Sequence, residues 1–323
     1  MLQSKRCRGP LLLSFFLLSW TGADSAPAQS AADEPPAPGT YIWVGDHRLH
    51  LDCRGSGSPT VVFDSGLGGS SLDWTLVQPE VASFTRACAY DRAGYAWSDP
   101  GPLPRDSEHI VSELEQLLGN GSVAAPYVLV GHSFGGLIVQ RFARQHPQKI
   151  AGLVLVDATH EDQFRRLEEA VTPSGHAYRW SLRTVLDSYN APEGLPEDVR
   201  LLAGAFAARA QSIVVVRSEL NFLRNGTRAA AAGDLPDVPV IVISHRVMTP
   251  ATSARKGRMA EMWMEMQLEL AARARRSTHV IAATDDHYVH IREPETVIEA
   301  VRAVVEQHRR EEDEGATGPV VHR

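Results

Sequence analysis

The 323-residue chain is 43% hydrophobic and 22% charged, a composition that excludes intrinsically disordered and membrane-embedded proteins. The formal net charge of -7 at pH 7 provides no basic surface for phosphate groups. This excludes nucleic acid as the expected partner and favours a small-molecule substrate. The length suits one large domain that carries an insertion. The sequence gives no indication of the oligomeric state.

The N-terminus has the three-part layout of a secretory signal peptide. Basic residues precede an apolar run, and small residues follow it: Lys5, Arg6 and Arg8, then Leu11 to Trp20, then Ala26-Pro27-Ala28. The apolar run is about half the roughly 20 residues that a membrane-spanning helix needs, although an uncleaved anchor is the alternative. We predict a signal peptide over residues 1–28, cleavage after Ala28, export to the periplasm or the medium, and no stable membrane insertion.

The chain has three cysteines, and Cys7 would leave with the signal peptide. Cys53 and Cys88 would then remain in an oxidising compartment, where a disulfide bond can persist. Two buried free thiols are the alternative. Residues 29–39, rich in Ala, Pro and acidic residues, are predicted to be a flexible lead-in.

The alternation of apolar and polar residues from Thr40 to Cys53 predicts a β-hairpin with its turn at Gly45-Asp46. Short β-branched runs then alternate with segments of helical period. The runs are Thr60 to Phe63, Ala87 to Tyr90, Tyr127 to Val130 and Leu153 to Val156. This alternation predicts a mostly parallel sheet flanked by helices.

Two helices are well marked between these strands. One is predicted from Ser107, which can cap its start, to Gly119, which can end it. The other begins directly after the strand that ends at Val130 and stops before Pro147. The start of this second helix carries the motif described next.

The segment Gly131-His132-Ser133-Phe134-Gly135 is a G-x-S-x-G motif between a strand and a helix. A serine hydroxyl needs a sharp strand-to-helix turn to reach a base, and Gly131 and Gly135 leave room for that turn. The helix N-terminus offers N–H groups to a developing oxyanion. A glycine-rich turn without chemistry is the alternative.

In this context the chain resembles the α/β-hydrolase superfamily, in the branch with a helical cap, over about Tyr41 to His308. Three further landmarks of the family occur in the expected order: Phe63 to Gly69, a glycine loop after the third strand; Tyr90 to Ser98, an Asp-Arg/Gly stretch after the fourth; and His287 before Pro294. The alternation of strands and helices breaks into several predicted helices from Thr159 to about Leu235, which indicates a helical insertion, and the charged tail after the last helix is predicted to be frayed. Together with the resemblance, this predicts a core of residues 40–158 and 236–310, a helical cap over 159–235 after strand 6, and a disordered tail over 311–323.

The resemblance also implies roles for individual residues. The backbone N–H groups of Leu67 and Phe134 would form the oxyanion hole, and His287, between the last strand and the last helix, would be the base. His290 is the alternative base.

The acid departs from the common family pattern, because the loop after the seventh strand offers Ser244 and His245 and no carboxylate. A known variation places the acid at the end of the sixth strand, which is Asp157 here. A helix cap is the alternative role for Asp157, and the alternative acids are Glu161, Asp162 and Asp285.

In this fold the second and fourth strands are neighbours, which implies a disulfide bond between Cys53 and Cys88. The cap is expected to line the pocket with some of its aromatic and leucine side chains: Phe164, Trp180, Phe206, Phe222 and Leu223.

We therefore predict a serine hydrolase, a carboxylic ester hydrolase with Ser133 as nucleophile, His287 as base and Asp157 as acid, acting on a small ester through an acyl-enzyme. No cofactor and no metal site are expected. The alternatives are an amidase, peptidase or carbon–carbon bond hydrolase on the same triad, and a non-catalytic binding protein on the hydrolase scaffold.

Overall fold

The computed structural model describes residues 35–171, 193–227, 233–247 and 254–316. Within these residues, eight strands form one sheet: β1 (Thr40–Val44), β2 (His47–Arg54), β3 (Thr60–Asp64), β4 (Ala87–Tyr90), β5 (Tyr127–His132), β6 (Ile150–Val156), β7 (Pro239–Ser244) and β8 (Arg276–Ile281). The strand order is β1-β2-β4-β3-β5-β6-β7-β8. All neighbours from β4 onward are parallel, and β1, β2 and β4 pair antiparallel. The predicted fold class is confirmed.

The predicted hairpin is formed by β1 and β2, with Gly45 in the turn at a φ of 61°. A positive φ of this kind suits glycine, which has no Cβ to collide with the backbone. The hairpin extends the parallel sheet at one edge because β2 also pairs with β4.

The pairing of β2 with β4 places Cys53 directly opposite Cys88, with their Cα atoms 4.0 Å apart. The two sulfurs form a disulfide bond, as predicted. It closes a loop of 35 residues and contributes about 3 to 4 kcal/mol to stability by the chain-entropy estimate.

Helices cover both faces of the sheet: α1 (Gln78–Ala82), α2 (Ser107–Asn120), α3 (Phe134–Gln145), α4 (Gln163–Val171), α5 (Glu197–Ala207), α6 (Ala210–Asn225), α7 (Ala254–Ala272), α8 (Val289–Arg292) and α9 (Pro294–Ala316). Alternate residues of a strand point to opposite faces. Leu129 of β5 therefore packs in one apolar cluster with Leu114 of α2, and Val128 packs in the other with Val301 of α9.

Some predicted helix ends were wrong. Asp106, not Ser107, caps α2, because its side chain accepts hydrogen bonds from the N–H groups of Glu108 and His109. Gly119 lies inside α2, whose last turn continues to Asn120. The tail predicted from residue 311 is wrong for residues 311–316, which belong to α9.

Three of the described helices, α4 to α6, lie between β6 and β7, in the part of the sequence for which a cap is predicted. The predicted signal peptide, Trp180 and residues 317–323 lie outside the described residues. Among the described helices, none by itself is long and apolar enough to cross a membrane. The pair α5 and α6, bent by 76°, meets that criterion jointly by length and composition.

Candidate active site

The G-x-S-x-G motif forms a sharp turn between β5 and α3. Ser133 has φ 48° and ψ -117°, a region that costs a non-glycine residue about 1 to 3 kcal/mol. The neighbouring glycines allow this turn: a Cβ at Gly131 would lie 2.6 Å from the carbonyl oxygen of Gly135, and a Cβ at Gly135 would collide with the backbone of Asp64. The motif therefore forms the strained turn that its spacing predicted.

Ser133 opens into a cavity of about 540 Å³, a size suited to a small molecule. Its polar lining residues are Asp73, His132, Ser133, Thr159, Gln163, His245, His287 and Tyr288, and its other lining residues are Gly66, Leu67, Phe164, Leu167, Leu220, Leu223, Met259, Ala260 and Trp263. Of the cap side chains predicted to line the pocket, Phe164 and Leu223 do so. Phe206 instead packs against Trp97, and Phe222 packs near Phe134.

His287 and Asp157 are in direct contact. Nδ1 of His287 donates a hydrogen bond of 2.5 Å to Oδ2 of Asp157, although the two residues are 130 positions apart in the sequence. The Asp157 side chain is fully buried, whereas the His287 side chain is 38% exposed. This bond uses Nδ1, and His287 itself lines the cavity.

Asp157 has three further hydrogen bonds, which the sequence did not predict. Oδ2 also accepts from Nδ1 of His245 at 2.7 Å, and Oδ1 accepts from the indole N–H of Trp263 at 2.8 Å and from the backbone N–H of His245 at 3.2 Å. Burial by itself would raise the pKa of Asp157. The hydrogen bonds from His245 and His287 outweigh burial and hold the pKa well below its usual value.

His245 is the second imidazole on this carboxylate. Burial would lower its pKa, but its hydrogen bond with Asp157 and the charge of that carboxylate raise the pKa above its usual value. His245 occupies the loop after β7, where the common family pattern has the acid. The sequence showed that this loop lacks a carboxylate, but it did not show that an imidazole there reaches Asp157.

The alternative base and acids lie elsewhere. His290 is fully buried against Trp74 and His132, neither of its ring nitrogens has a hydrogen-bond partner among the described residues, and burial lowers its pKa to about 3. Glu161 forms an ion pair with Arg273, Asp162 forms one with Arg165, and Asp285 is exposed. None of these contacts involves His287.

The glycine loop after β3 places Gly66 and Leu67 in the cavity wall. A Cβ at Gly66 would lie 3.3 Å from Cβ of Ser133, so the loop backbone closely approaches the serine. Phe134 is the first residue of α3, a position whose N–H needs no partner within the helix. The loop and the helix start predicted to supply the oxyanion donors therefore flank Ser133.

Arg92 holds this loop in place. Its guanidinium donates to the carbonyl oxygens of Ser65 and Gly66 at 2.6 Å each, to Asp64 at 2.6 Å, and to Glu219 of α6 at 3.1 Å. All of these side chains are buried. The sequence identified Arg92 only as part of a family landmark, and the structure shows that it ties the glycine loop to the inserted helices.

Asp157, His245 and His287 place potential ligand atoms within 4.8 Å of one another. The two Nδ1–Oδ2 distances are 2.5 and 2.7 Å, which are typical of charge-assisted hydrogen bonds. Ligand atoms around a tetrahedral zinc ion are separated by more, about 3.3 Å. The arrangement therefore fits protons between these groups better than a metal ion.

A mostly parallel sheet with a serine at a strand-to-helix turn and a histidine–aspartate pair beside it defines a hydrolase of the α/β class. A family model described as "Alpha/beta hydrolase family" matches residues 61–300, and the chain belongs to this family.

The chain is similar to an AB hydrolase superfamily protein of Gibberella zeae, with 24% identity over 286 residues, 76% of this chain and 86% of that protein. Over 134 residues it is 32% identical to the probable transporter efuK of Hormonema carpetanum, a match that covers 39% of this chain and 19% of efuK. The matches to two further relatives cover only 41% and 28% of those proteins. This chain therefore spans less than half the length of efuK and of these two relatives.

Among solved structures, the enol-lactonase from Burkholderia xenovorans LB400 superposes with a TM-score of 0.57 at 18% identity, covering 83% of this chain and all of the lactonase. A putative epoxide hydrolase from Pseudomonas aeruginosa superposes with a TM-score of 0.62 at 16% identity, covering 84% of this chain and 96% of that protein. These similarities concern the fold.

Proposed function

We propose that this protein is a serine esterase that hydrolyses small carboxylic esters through an acyl-enzyme. The observation that carries the proposal is the 2.5 Å hydrogen bond between His287 and the buried Asp157, beside the cavity that both His287 and Ser133 line. A serine at a strained turn, an imidazole whose Nδ1 is bound to a carboxylate, and that buried carboxylate are the three parts that activated-serine chemistry requires.

In the proposed mechanism, Nε2 of His287 takes the proton from Oγ of Ser133 as that oxygen attacks the ester carbonyl carbon. The backbone N–H groups of Leu67 and Phe134 stabilise the negative charge on the carbonyl oxygen. The tetrahedral intermediate collapses, and His287 gives its proton to the leaving alcohol. His287 then takes a proton from water as the water oxygen attacks the acyl carbonyl carbon, and it gives this proton to Oγ of Ser133 as the bond from Oγ to the acyl group breaks and the carboxylic acid leaves. Throughout, Asp157 holds the imidazole and stabilises its protonated form.

The nature of the nucleophile argues for esters over the substrates named for several structural neighbours. Epoxide hydrolases and haloalkane dehalogenases attack with a carboxylate, whereas this turn carries Ser133. The cavity wall is largely apolar, which suits a small ester with an uncharged body. The enol-lactonase among the neighbours is compatible with this choice, since a lactone is a cyclic ester.

The proposal is tested with p-nitrophenyl esters of graded acyl length and with a fluorophosphonate probe. We expect the wild-type protein to hydrolyse short esters and to be labelled at Ser133. Ser133→Ala should lower kcat by at least about 1,000-fold and abolish labelling. Ser98→Ala is the control, because Ser98 is a buried serine that lies outside the cavity wall.

Two outcomes would contradict the proposal in different ways. Labelling of Ser133 without ester hydrolysis would indicate an amidase or a carbon–carbon bond hydrolase. If the wild-type protein is neither labelled nor active, a non-catalytic role is favoured.

We also propose that the protein is exported after cleavage of residues 1–28. The Cys53–Cys88 disulfide bond is compatible with an oxidising compartment, and the first 28 residues have the layout of a signal peptide. N-terminal sequencing of the protein recovered from the periplasm or medium of an expressing cell should begin at Gln29. Recovery only from the cytoplasm with an intact N-terminus would contradict export.

A further inference from the structure

A second buried aspartate, Asp73, lines the same cavity as Ser133. It lies in the short 3-10 helix Ser71–Trp74 that follows the glycine loop, and it is 2% exposed. Its Oδ2 has no hydrogen-bond partner among the residues that the structure describes. A buried carboxyl oxygen without a partner is unfavourable, and in a cavity wall the missing partner can be supplied by a ligand.

Asp73 lies beside the glycine loop that approaches Ser133. Oδ2 of Asp73 lies against Gly69 so closely that no Cβ fits there, and the same Cβ would be 3.3 Å from the backbone nitrogen of Gly66. Gly66 in turn approaches Ser133. The loop that is proposed to hold the oxyanion is therefore the element that separates Asp73 from Ser133.

The charge state of Asp73 narrows the chemistry of the ligand group. Burial raises the pKa of this carboxyl to about 7, and the nearby negative charge of Asp91 adds to the increase, while the backbone N–H of Ser70 and the charge of Arg92 partly oppose it. Near neutral pH both forms are therefore populated. A hydroxyl group both donates and accepts hydrogen bonds and matches either form, whereas an ammonium group is matched only by the ionised form.

We propose that Asp73 is a recognition residue for a hydroxyl group, so that the preferred esters carry a hydroxyl close to the ester carbonyl on an otherwise apolar body. This inference rests on the proposed esterase function. The apolar body of the ester would contact the apolar side chains of the cavity wall, which include Leu67, Leu220 and Trp263. The Asp73 carboxyl provides a polar contact at the end of the cavity near the glycine loop.

The test compares matched pairs of esters by pH-stat titration. Methyl 3-hydroxybutyrate and methyl butyrate probe the acyl side, and 2-hydroxyethyl butyrate and ethyl butyrate probe the alcohol side. For at least one pair, we expect the wild-type protein to favour the hydroxylated ester by about 10- to 100-fold in kcat/KM, the effect of one hydrogen bond to a buried, partly charged group. Asp73→Leu should bring that ratio close to one, and Asp73→Asn should retain part of it.

Ser98→Ala is the control, because it removes a buried polar group that lies outside the cavity wall, and it should leave the ratio intact. Thermal unfolding of each variant shows whether it is folded. The inference is overturned if the wild-type protein and Asp73→Leu have the same ratio for both pairs, or if Ser98→Ala changes the ratio as much as Asp73→Leu.

Measurements of ester binding to variants without Ser133 test this inference independently of the proposed esterase function. The same ester pairs are titrated, with ligand-observed NMR, against Ser133→Ala and against the double variant Ser133→Ala/Asp73→Leu, neither of which depends on turnover. Tighter binding of a hydroxylated ester to Ser133→Ala, lost in the double variant, supports Asp73 as the recognition residue. Equal binding within each pair overturns it. Absence of ester hydrolysis by the wild-type protein would contradict the esterase proposal alone.

Discussion

Asp157 and Asp73 are both buried, Asp73 in the wall of the cavity that Ser133 lines and Asp157 behind His287, and they differ in their hydrogen bonds. Asp157 accepts four hydrogen bonds, from the side chains of His287, His245 and Trp263 and from the backbone N–H of His245. One oxygen of Asp73 has no partner among the described residues. The pKa of Asp157 is accordingly below its usual value, whereas that of Asp73 is raised to about 7.

The comparison shows that burial alone does not set the charge of a carboxyl group. Both side chains are withdrawn from water, and in both cases burial favours the neutral acid. Donors reverse the balance for Asp157, so it is suited to stabilise a positively charged imidazole. Two carboxyl groups with opposite environments can then perform different roles in one site.

The largest expected effect is a loss of kcat when the negative charge of Asp157 is removed. Asp157→Asn should lower kcat for p-nitrophenyl esters by about 10,000-fold, because the amide cannot stabilise the protonated form of His287 or select the same tautomer. Steady-state kinetics with the purified variant measures this. Glu161→Gln is the matched control: Glu161 is an alternative acid in the sequence but pairs with Arg273, and the variant should stay within about threefold of wild type. A loss in Glu161→Gln equal to that in Asp157→Asn would contradict the assignment.

The second expected effect is a change in how the free energy of unfolding depends on pH when Asp73 is replaced. With a pKa of about 7 in the folded protein and about 3.9 in the unfolded chain, the folded state holds a proton that the unfolded chain has already released. The contribution of Asp73 to wild-type stability therefore falls as the pH rises from about 4 to about 7, and Asp73→Asn lacks this loss. The free energy of unfolding of Asp73→Asn, relative to wild type, should rise by about 2 to 3 kcal/mol between pH 5 and pH 8.

Urea denaturation at the two pH values measures this difference, with Gln163→Leu as an uncharged change in the same cavity. If Asp73→Asn has the same stability relative to wild type at both pH values, Asp73 is not held as a neutral acid.

The smallest effect is expected from removing one donor of Asp157. His245→Phe should lower kcat by about tenfold while KM changes little, because Asp157 keeps its bond to His287 but loses one of the groups that hold it. His245→Asn should recover part of the loss, since its amide N–H can replace the Nδ1 donor. An increase in KM without a fall in kcat, or no rescue by Asn, would show that His245 shapes the cavity instead of positioning Asp157.

Local features were predicted well because their causes are local in the sequence. The turn at Ser133 follows from Gly131 and Gly135, which lie within two residues of it, and the hairpin follows from alternation around Gly45. Helix ends were predicted less well. At α2, Ser107 and Asp106 are both suitable capping residues, and only the backbone geometry selects Asp106.

The resemblance to the family allowed contacts between distant residues to be predicted. It paired Cys53 with Cys88 through the expected strand order, and the register of β2 and β4 confirms that pair. It also selected His287 and Asp157 from several alternatives, and the two side chains are in contact. The catalytic roles of Ser133, His287 and Asp157, and the oxyanion roles of Leu67 and Phe134, remain predictions; Ser133→Ala and Asp157→Asn would test those of Ser133 and Asp157.

The sequence by itself determined the succession of strands and helices, the serine turn and the short list of candidate bases and acids, because each depends on neighbouring residues or on one strand end. The tertiary structure decided which distant groups meet. His245 reaches Asp157 across 88 positions, Arg92 binds Glu219 across 127 positions, and Asp73 reaches the cavity without a partner for Oδ2 among the described residues. These environments arise when the sheet brings the strand ends together and the inserted helices exclude water from them, and no single segment of the chain encodes that.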